Sequence, residues 1–154
     1  MPRIDVEKTP LITSTGYPAP YADAVAGRSK KRLGEAGGLT QYGVNLTVLK
    51  PGAASAHRHW HRNEDEFIYI ISGQAVLVED AGEFALKAGD AAAFPAGAAN
   101  GHHLVNRSSS DVVYLEVGTR AKTEVVEYTD PAIDLRAVND GRGWRYEHRN
   151  GVRW

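Results

Sequence analysis

Three of the chain's six histidines stand on alternate positions in HRHWHRNEDEFIYIISG, residues 57–73, and Glu64, Asp65 and Glu66 follow them. On a β-strand, residues i and i+2 project from one face about 6–7 Å apart. His59 and His61 can therefore converge on one ion while Trp60 points away. A flat strand cannot wrap an ion alone, so a turn at residues 62–65 is expected to return the chain and bring in a carboxylate. Fe(II), Mn(II), Ni(II) and Zn(II) accept such a mixture of imidazole and carboxylate. Neighbouring acids on a strand diverge, so one acid is expected as a ligand and the other two as solvated. A second pair, His102 and His103, is adjacent, and a regular strand would aim its members at opposite faces.

Other chemistries lack their residues. With no cysteine there is no thiolate site, disulfide or thiol nucleophile. GxGxxG and P-loop patterns are absent, and no nucleophile elbow surrounds the serine of TSTGYP. A net charge of −1 gives no global field toward nucleic acid or anionic membrane. The N-terminal stretch lacks a signal-like apolar core, and no apolar run approaches the ~18 residues of a membrane helix. The expectation is a cytoplasmic protein.

The elements that must position these residues read as β. QYGVNLTVLK, EFIYIIS, QAVLVED, GEFALKA and DVVYLEVGT are short, rich in β-branched and aromatic residues, and separated by turn signals. Such spacing, without helical periodicity, predicts a sandwich or closed barrel. Residues 1–40 differ: prolines and glycines interrupt them, and AGRSKKRLGEAGG is expected to make at most a short helix. Ile4, Leu11, Ile12, Tyr17 and Tyr21 predict that this arm packs along the barrel or across a partner subunit. The tail GWRYEHRNGVRW predicts a hairpin turning at Asn150-Gly151, with Trp144, Tyr146 and His148 on one face. Five arginines in residues 136–154 are expected to be a solvated surface.

The segment PGAASAHRHWHRNEDEFIYIISGQAVL resembles the first motif of the cupin superfamily, G-x5-HxH-x(3,4)-E-x6-G. GDAAAFPAGAANGHHLVN resembles the second, G-x5-PxG-x2-H-x3-N. The resemblance implies an all-β fold, the cupin double-stranded β-helix or jelly-roll barrel, over residues 41–154, with an irregular N-terminal arm and a C-terminal β-hairpin. It implies a 3-His/1-Glu divalent metal centre. Glu66 precedes Gly73 by the motif's spacing, and counting back four residues selects His59 and His61, leaving His57 as a neighbour. Asn106 favours His102 as the last ligand, with His103 as the alternative if the strand is bulged. Two departures are present: one extra residue before His59, and four residues instead of two between Gly97 and His102.

Three imidazoles and a carboxylate leave two positions open on an octahedral ion, which favours catalysis over a structural staple. The resemblance implies a metal-dependent enzyme (Fe, Mn, Zn or Ni) acting on a small oxygenated organic molecule as a dioxygenase, isomerase, lyase or decarboxylase. The alternative is a non-catalytic small-molecule binding or sensing module. His57, His103 and Tyr69 are candidates to move protons beside the ion. Such small cupins are often dimers, so a homodimer is expected, with no nucleic-acid or membrane partner.

Overall fold

The computed structural model describes residues 2–154. The β-rich runs become thirteen strands: β1 (Leu11–Ile12), β2 (Arg28–Arg32), β3 (Tyr42–Leu49), β4 (His59–His61), β5 (Glu66–Ser72), β6 (Gln74–Glu79), β7 (Gly82–Lys87), β8 (Ala91–Phe94), β9 (His103–Val105), β10 (Val112–Thr119), β11 (Glu124–Tyr128), β12 (Arg136–Asn139) and β13 (Trp144–Glu147). Two four-residue helices, α1 (Ala19–Ala22) and α2 (Leu33–Ala36), and a 3-10 turn over Asp23–Val25 lie in the arm. The strands form three antiparallel sheets, ordered β1-β2-β3-β10-β5-β8, β13-β12-β11-β4 and β7-β6-β9. This is the jelly-roll barrel that the resemblance implies.

Alternation decides which residues fill the barrel. On β3, β5 and β10 the inward residues include Leu49, Ile68, Ile70, Val112 and Tyr114, which meet Ala75 and Leu77 of β6 and Leu104 of β9 in one core. Each fully buried aliphatic side chain of this kind contributes about 1.5–3 kcal/mol. A second core joins the arm to the four-stranded sheet, where Tyr17 and Val25 pack with Val126, Tyr128, Leu135 and Ala137. Two of the motif residues that are not ligands, Gly73 and Asn106, hold turns. Gly73 sits at φ +83, and a Cβ there would lie 2.4 Å from the Asp111 carbonyl oxygen, so only glycine fits between β5 and β6. Asn106 is fully buried and its amide donates to the carbonyls of Leu49 and Ser110, both at 2.8 Å.

Two expectations are corrected. AGRSKKRLGEAGG is not merely a short helix: Arg28–Arg32 pairs with β3 from Arg28↔Leu49 to Arg32↔Asn45, and only Leu33–Ala36 is helical. The edge of β3 offers a ladder that outweighs local propensity. Nor are all the C-terminal arginines simply solvated. Arg136 and Arg145 pair with the buried Glu147, and Arg149 donates to the carbonyls of Tyr128 and Asp130. The tail does turn back near Asn150-Gly151, where the His148 amide donates to the Val152 carbonyl at 2.7 Å.

Candidate metal centre

Each of the three sheets delivers part of one donor cluster. β4 pairs with β11 so that His59 lies opposite Tyr128 and His61 opposite Val126, with both imidazoles on the inner face. Glu66 opens β5, opposite Gly118 on one side and Phe94 of β8 on the other. His102 immediately precedes β9 and bridges to His59 through paired backbone hydrogen bonds of 3.2 and 3.0 Å. Its ring stacks on Phe94, with centroids 3.5 Å apart and planes 3° from parallel. Around the Glu66 Oε2 atom stand His102 Nε2 at 3.1 Å, His61 Nε2 at 3.4 Å and His59 Nε2 at 3.8 Å.

The tautomers follow from the hydrogen bonds. A carbonyl only accepts, so His59 Nδ1–H donates to the His57 carbonyl at 2.7 Å, and His102 Nδ1–H donates to the Asn100 carbonyl at 3.0 Å. With Nδ1–H so committed, Nε2 of either ring faces the Glu66 carboxylate as a lone pair when the ring is neutral and as a donor when it carries a second proton. Electron-rich atoms facing one point repel unless a cation, a proton or a metal, lies among them. The donor set fits a divalent ion in that respect, and orienting carbonyls of this kind are what metal-bound histidines carry. Residues 98–101, the departure before His102, include the Asn100 carbonyl that orients it.

Burial opposes ionisation of Glu66, yet hydrogen bonding with His102, His59 and His61 outweighs it and holds the carboxyl well below the usual carboxylate range. Burial also disfavours charge on His61, but hydrogen bonding to Glu66 and the charges of Glu66, Glu124 and Glu64 raise its pKa above the ordinary imidazole value. Behind His61 lies a feature that sequence reasoning missed. Among the described residues its Nδ1 has no hydrogen-bond partner, and Glu124 Oε2 stands at 3.7 Å and Glu64 Oε2 at 3.9 Å. The expectation of two solvated acids is wrong for Glu64, which is buried, its other oxygen accepting the Ala121 amide at 2.9 Å. Burial first, and then the Glu124 charge, push its pKa up. Asp65 is exposed, as expected.

Glu64→Gln keeps an oxygen for Ala121 but removes the charge behind His61. Metal affinity, measured by competition with a chelator, is expected to fall about 10- to 100-fold with the melting temperature little changed. Unaltered affinity would show that Glu64 does not support that ring.

The remaining sequence candidates separate. His103 lines the same cavity as the donors, but its Nδ1–H is committed to the Ala56 carbonyl at 2.7 Å. His57 turns toward the arm, where Nε2–H donates to the Tyr21 carbonyl at 2.8 Å; its own carbonyl is what orients His59. Tyr69 is placed away from the centre: it lies on the outer face of β5, 41% exposed, because Glu66, Ile68 and Ile70 take the inner face. The donors line a cavity of about 360 Å3 whose wall also holds Arg28, Lys30, Tyr114, Glu116 and Tyr128. None of these five stood out in the sequence. A charged residue on a strand and a core tyrosine give no local signal of facing a cavity.

A jelly-roll barrel with a histidine and carboxylate cluster inside defines a class, and the chain belongs to the cupin superfamily. The family model described as Cupin domain matches residues 45–118. A sugar phosphate isomerase of the cupin superfamily from Silicibacter pomeroyi DSS-3 is 42% identical, with 99% of this chain and 96% of that one covered and a TM-score of 0.94. A protein from Acidithiobacillus ferrooxidans, provisionally described as a sugar phosphate isomerase, is 30% identical over 84% of this chain and 82% of that one, with a TM-score of 0.73. The polyketide cyclase RemF from Streptomyces resistomycificus shares the fold at 19% identity and a TM-score of 0.64, covering 77% of this chain and 79% of its own. No curated protein matches the chain.

Proposed function

We propose that this chain is a metal-dependent cupin enzyme that isomerises a small phosphorylated sugar, with Fe, Mn, Zn or Ni held by His59, His61, Glu66 and His102. The observation that carries the reading is the convergence of three Nε2 atoms on Glu66 Oε2 in the wall of a cavity of about 360 Å3, room for one small molecule. Among the reaction types open to such a centre, isomerisation is favoured by the two similar structures described as sugar phosphate isomerases. When bound, a divalent ion supplies Lewis-acid polarisation of a substrate carbonyl. The chain supplies the rest. Ile68, Leu77, Phe94 and Leu104 line the cavity and limit water. Glu116 lies inside it on the same face of the sheet as Glu66, one row along, because Glu116 is opposite Ile68 and Gly118 is opposite Glu66. We assign its carboxylate, which Lys30 faces at 3.3 Å, the role of taking the proton from the carbon beside the carbonyl and returning it to the carbonyl carbon, while the hydroxyl proton moves to the former carbonyl oxygen, so that an aldose and a ketose interconvert without an external oxidant.

The test is NMR of metal-loaded protein in D2O with a panel of aldose and ketose phosphates. Interconversion with deuterium appearing at the carbon that receives the transferred proton, C1 of the ketose or C2 of the aldose, is the expected result. Binding without exchange or interconversion for every member would favour the non-catalytic binding module. With no cysteine the chain suits a reducing cytoplasm, where we place it. No helix among the described residues is long and apolar enough to cross a membrane.

The partner is a second copy of this chain. Phe67, Tyr69 and Ile71 on β5 and Tyr42 on β3 lie on the outer face of the six-stranded sheet, each more than 40% exposed. A patch of large apolar side chains on a sheet face supports an association surface. Tyr69→Glu is expected to convert a dimer into a monomer in size exclusion with light scattering. A monomeric wild type would count against the dimer.

A further inference from the structure

β2 carries three cations on the face that it turns inward. In RSKKR, Arg28, Lys30 and Arg32 share one face of β2 and Ser29 and Lys31 the other. The inner three line the cavity that holds the donor cluster, and they also line an adjoining cavity of about 540 Å3. Lys31 turns away, and its ammonium donates to the Val6 carbonyl at 2.7 Å. The three inward cations are not equivalent. Lys30 faces Glu116 Oε2 at 3.3 Å, and Arg32 is half-exposed beside Glu35 at 3.5 Å. Arg28 donates Nη1–H to the Ser55 carbonyl at 2.6 Å and, among the described residues, has no carboxylate within ion-pair distance.

We propose that Arg28, assisted by Lys30, forms a subsite for a phosphate monoester, the charged end of the substrate whose carbonyl end meets the donor cluster. The substrate's identity as a sugar phosphate rests on the isomerase reading; the cationic subsite rests on β2. Five N–H groups on a planar guanidinium, one of them committed to Ser55, leave a fork that matches two oxygens of a tetrahedral anion. A cation partly withdrawn from water and lacking a counter-charge is costly unless an anion visits it. Lys30 adds a point charge shared with Glu116, so the pair attracts an anion without permanently trapping one. The ladder sets the span. β2 stands three strand spacings from β5, about 14 Å between backbones, and side chains reaching inward from both strands shorten that gap. One elongated small molecule can therefore touch both ends of the cavity, and an unphosphorylated sugar would lack the handle.

The experiment is calorimetric titration of the full-length protein with inorganic phosphate, alongside elemental analysis of the same samples. Arg28→Gln is expected to weaken phosphate binding about 10- to 100-fold while metal content and melting temperature stay near those of the wild type. Arg28→Lys is expected to fall between, which keeps the test valid if the glutamine variant folds poorly. Lys31→Gln removes the same unit of charge from the outer face and is expected to leave phosphate affinity unchanged. Equal affinity in wild type and Arg28→Gln, an equal loss in Lys31→Gln, or acetate binding as tightly as phosphate would each overturn the subsite. A metal-free, inactive protein that still binds phosphate through Arg28 would uphold the subsite and overturn the isomerase reading. A metal-loaded, active protein indifferent to Arg28 would do the reverse.

Discussion

Replacing Glu66 with glutamine is expected to empty the centre and abolish turnover while the barrel stays folded. Glu66 is the point around which the three Nε2 atoms gather, at 3.1, 3.4 and 3.8 Å. It is the anionic member of the proposed set, so the amide removes the charge that offsets a divalent ion. Metal affinity and turnover are each expected to drop at least about 100-fold, read by elemental analysis of protein purified without added metal and by the isomerisation assay. The circular dichroism spectrum is expected to be unchanged, because the side chain sits at the start of β5 and outside both apolar cores. His59→Ala, His61→Ala and His102→Ala are expected to behave alike. Stoichiometric metal retained by these variants would refute the quartet.

The second large effect is an opposite response to pH of the metal-free and metal-loaded proteins. His61 has its folded pKa raised, so its contribution is fully present below the ordinary imidazole value of about 6.5 and is lost as pH rises through the raised value. Glu66 has its folded pKa depressed. Its contribution is present above the ordinary carboxylate value of about 4.3 and is lost as pH falls through the lowered value. The metal-free protein is therefore expected to be most stable between those two ordinary values and to lose stability as pH climbs beyond them. Metal binding needs a deprotonated His61, so metal-derived stability grows over that same climb. Thermal melts with and without metal should diverge as pH rises from about 6 to 8, which spans the ordinary imidazole value. A constant gap across that range would mean that His61 does not ligate.

The sequence determined the strand class, the positions of many turns and the residue types of the donor cluster, because these depend on local preferences. Gly73 is forced by its own positive φ and the crowding of Asp111, and HxH followed by Glu66 places three donors within two short strands. Spacing also favoured His102 over His103, and the ring of His102 does stand beside Glu66. Tertiary structure decided what those donors lean on and what they face. Glu124 reaches His61 from 63 residues away in the chain, and the buried Glu64 accepts a hydrogen bond from the amide of the distant Ala121. Arg28 and Lys30 read as arm charges until β2 pairs with β3, and alternation then turns them into the cavity. Pairing between distant strands leaves no periodic trace of which face will be enclosed, so the supporting carboxylates and the cationic wall became visible only in the folded barrel.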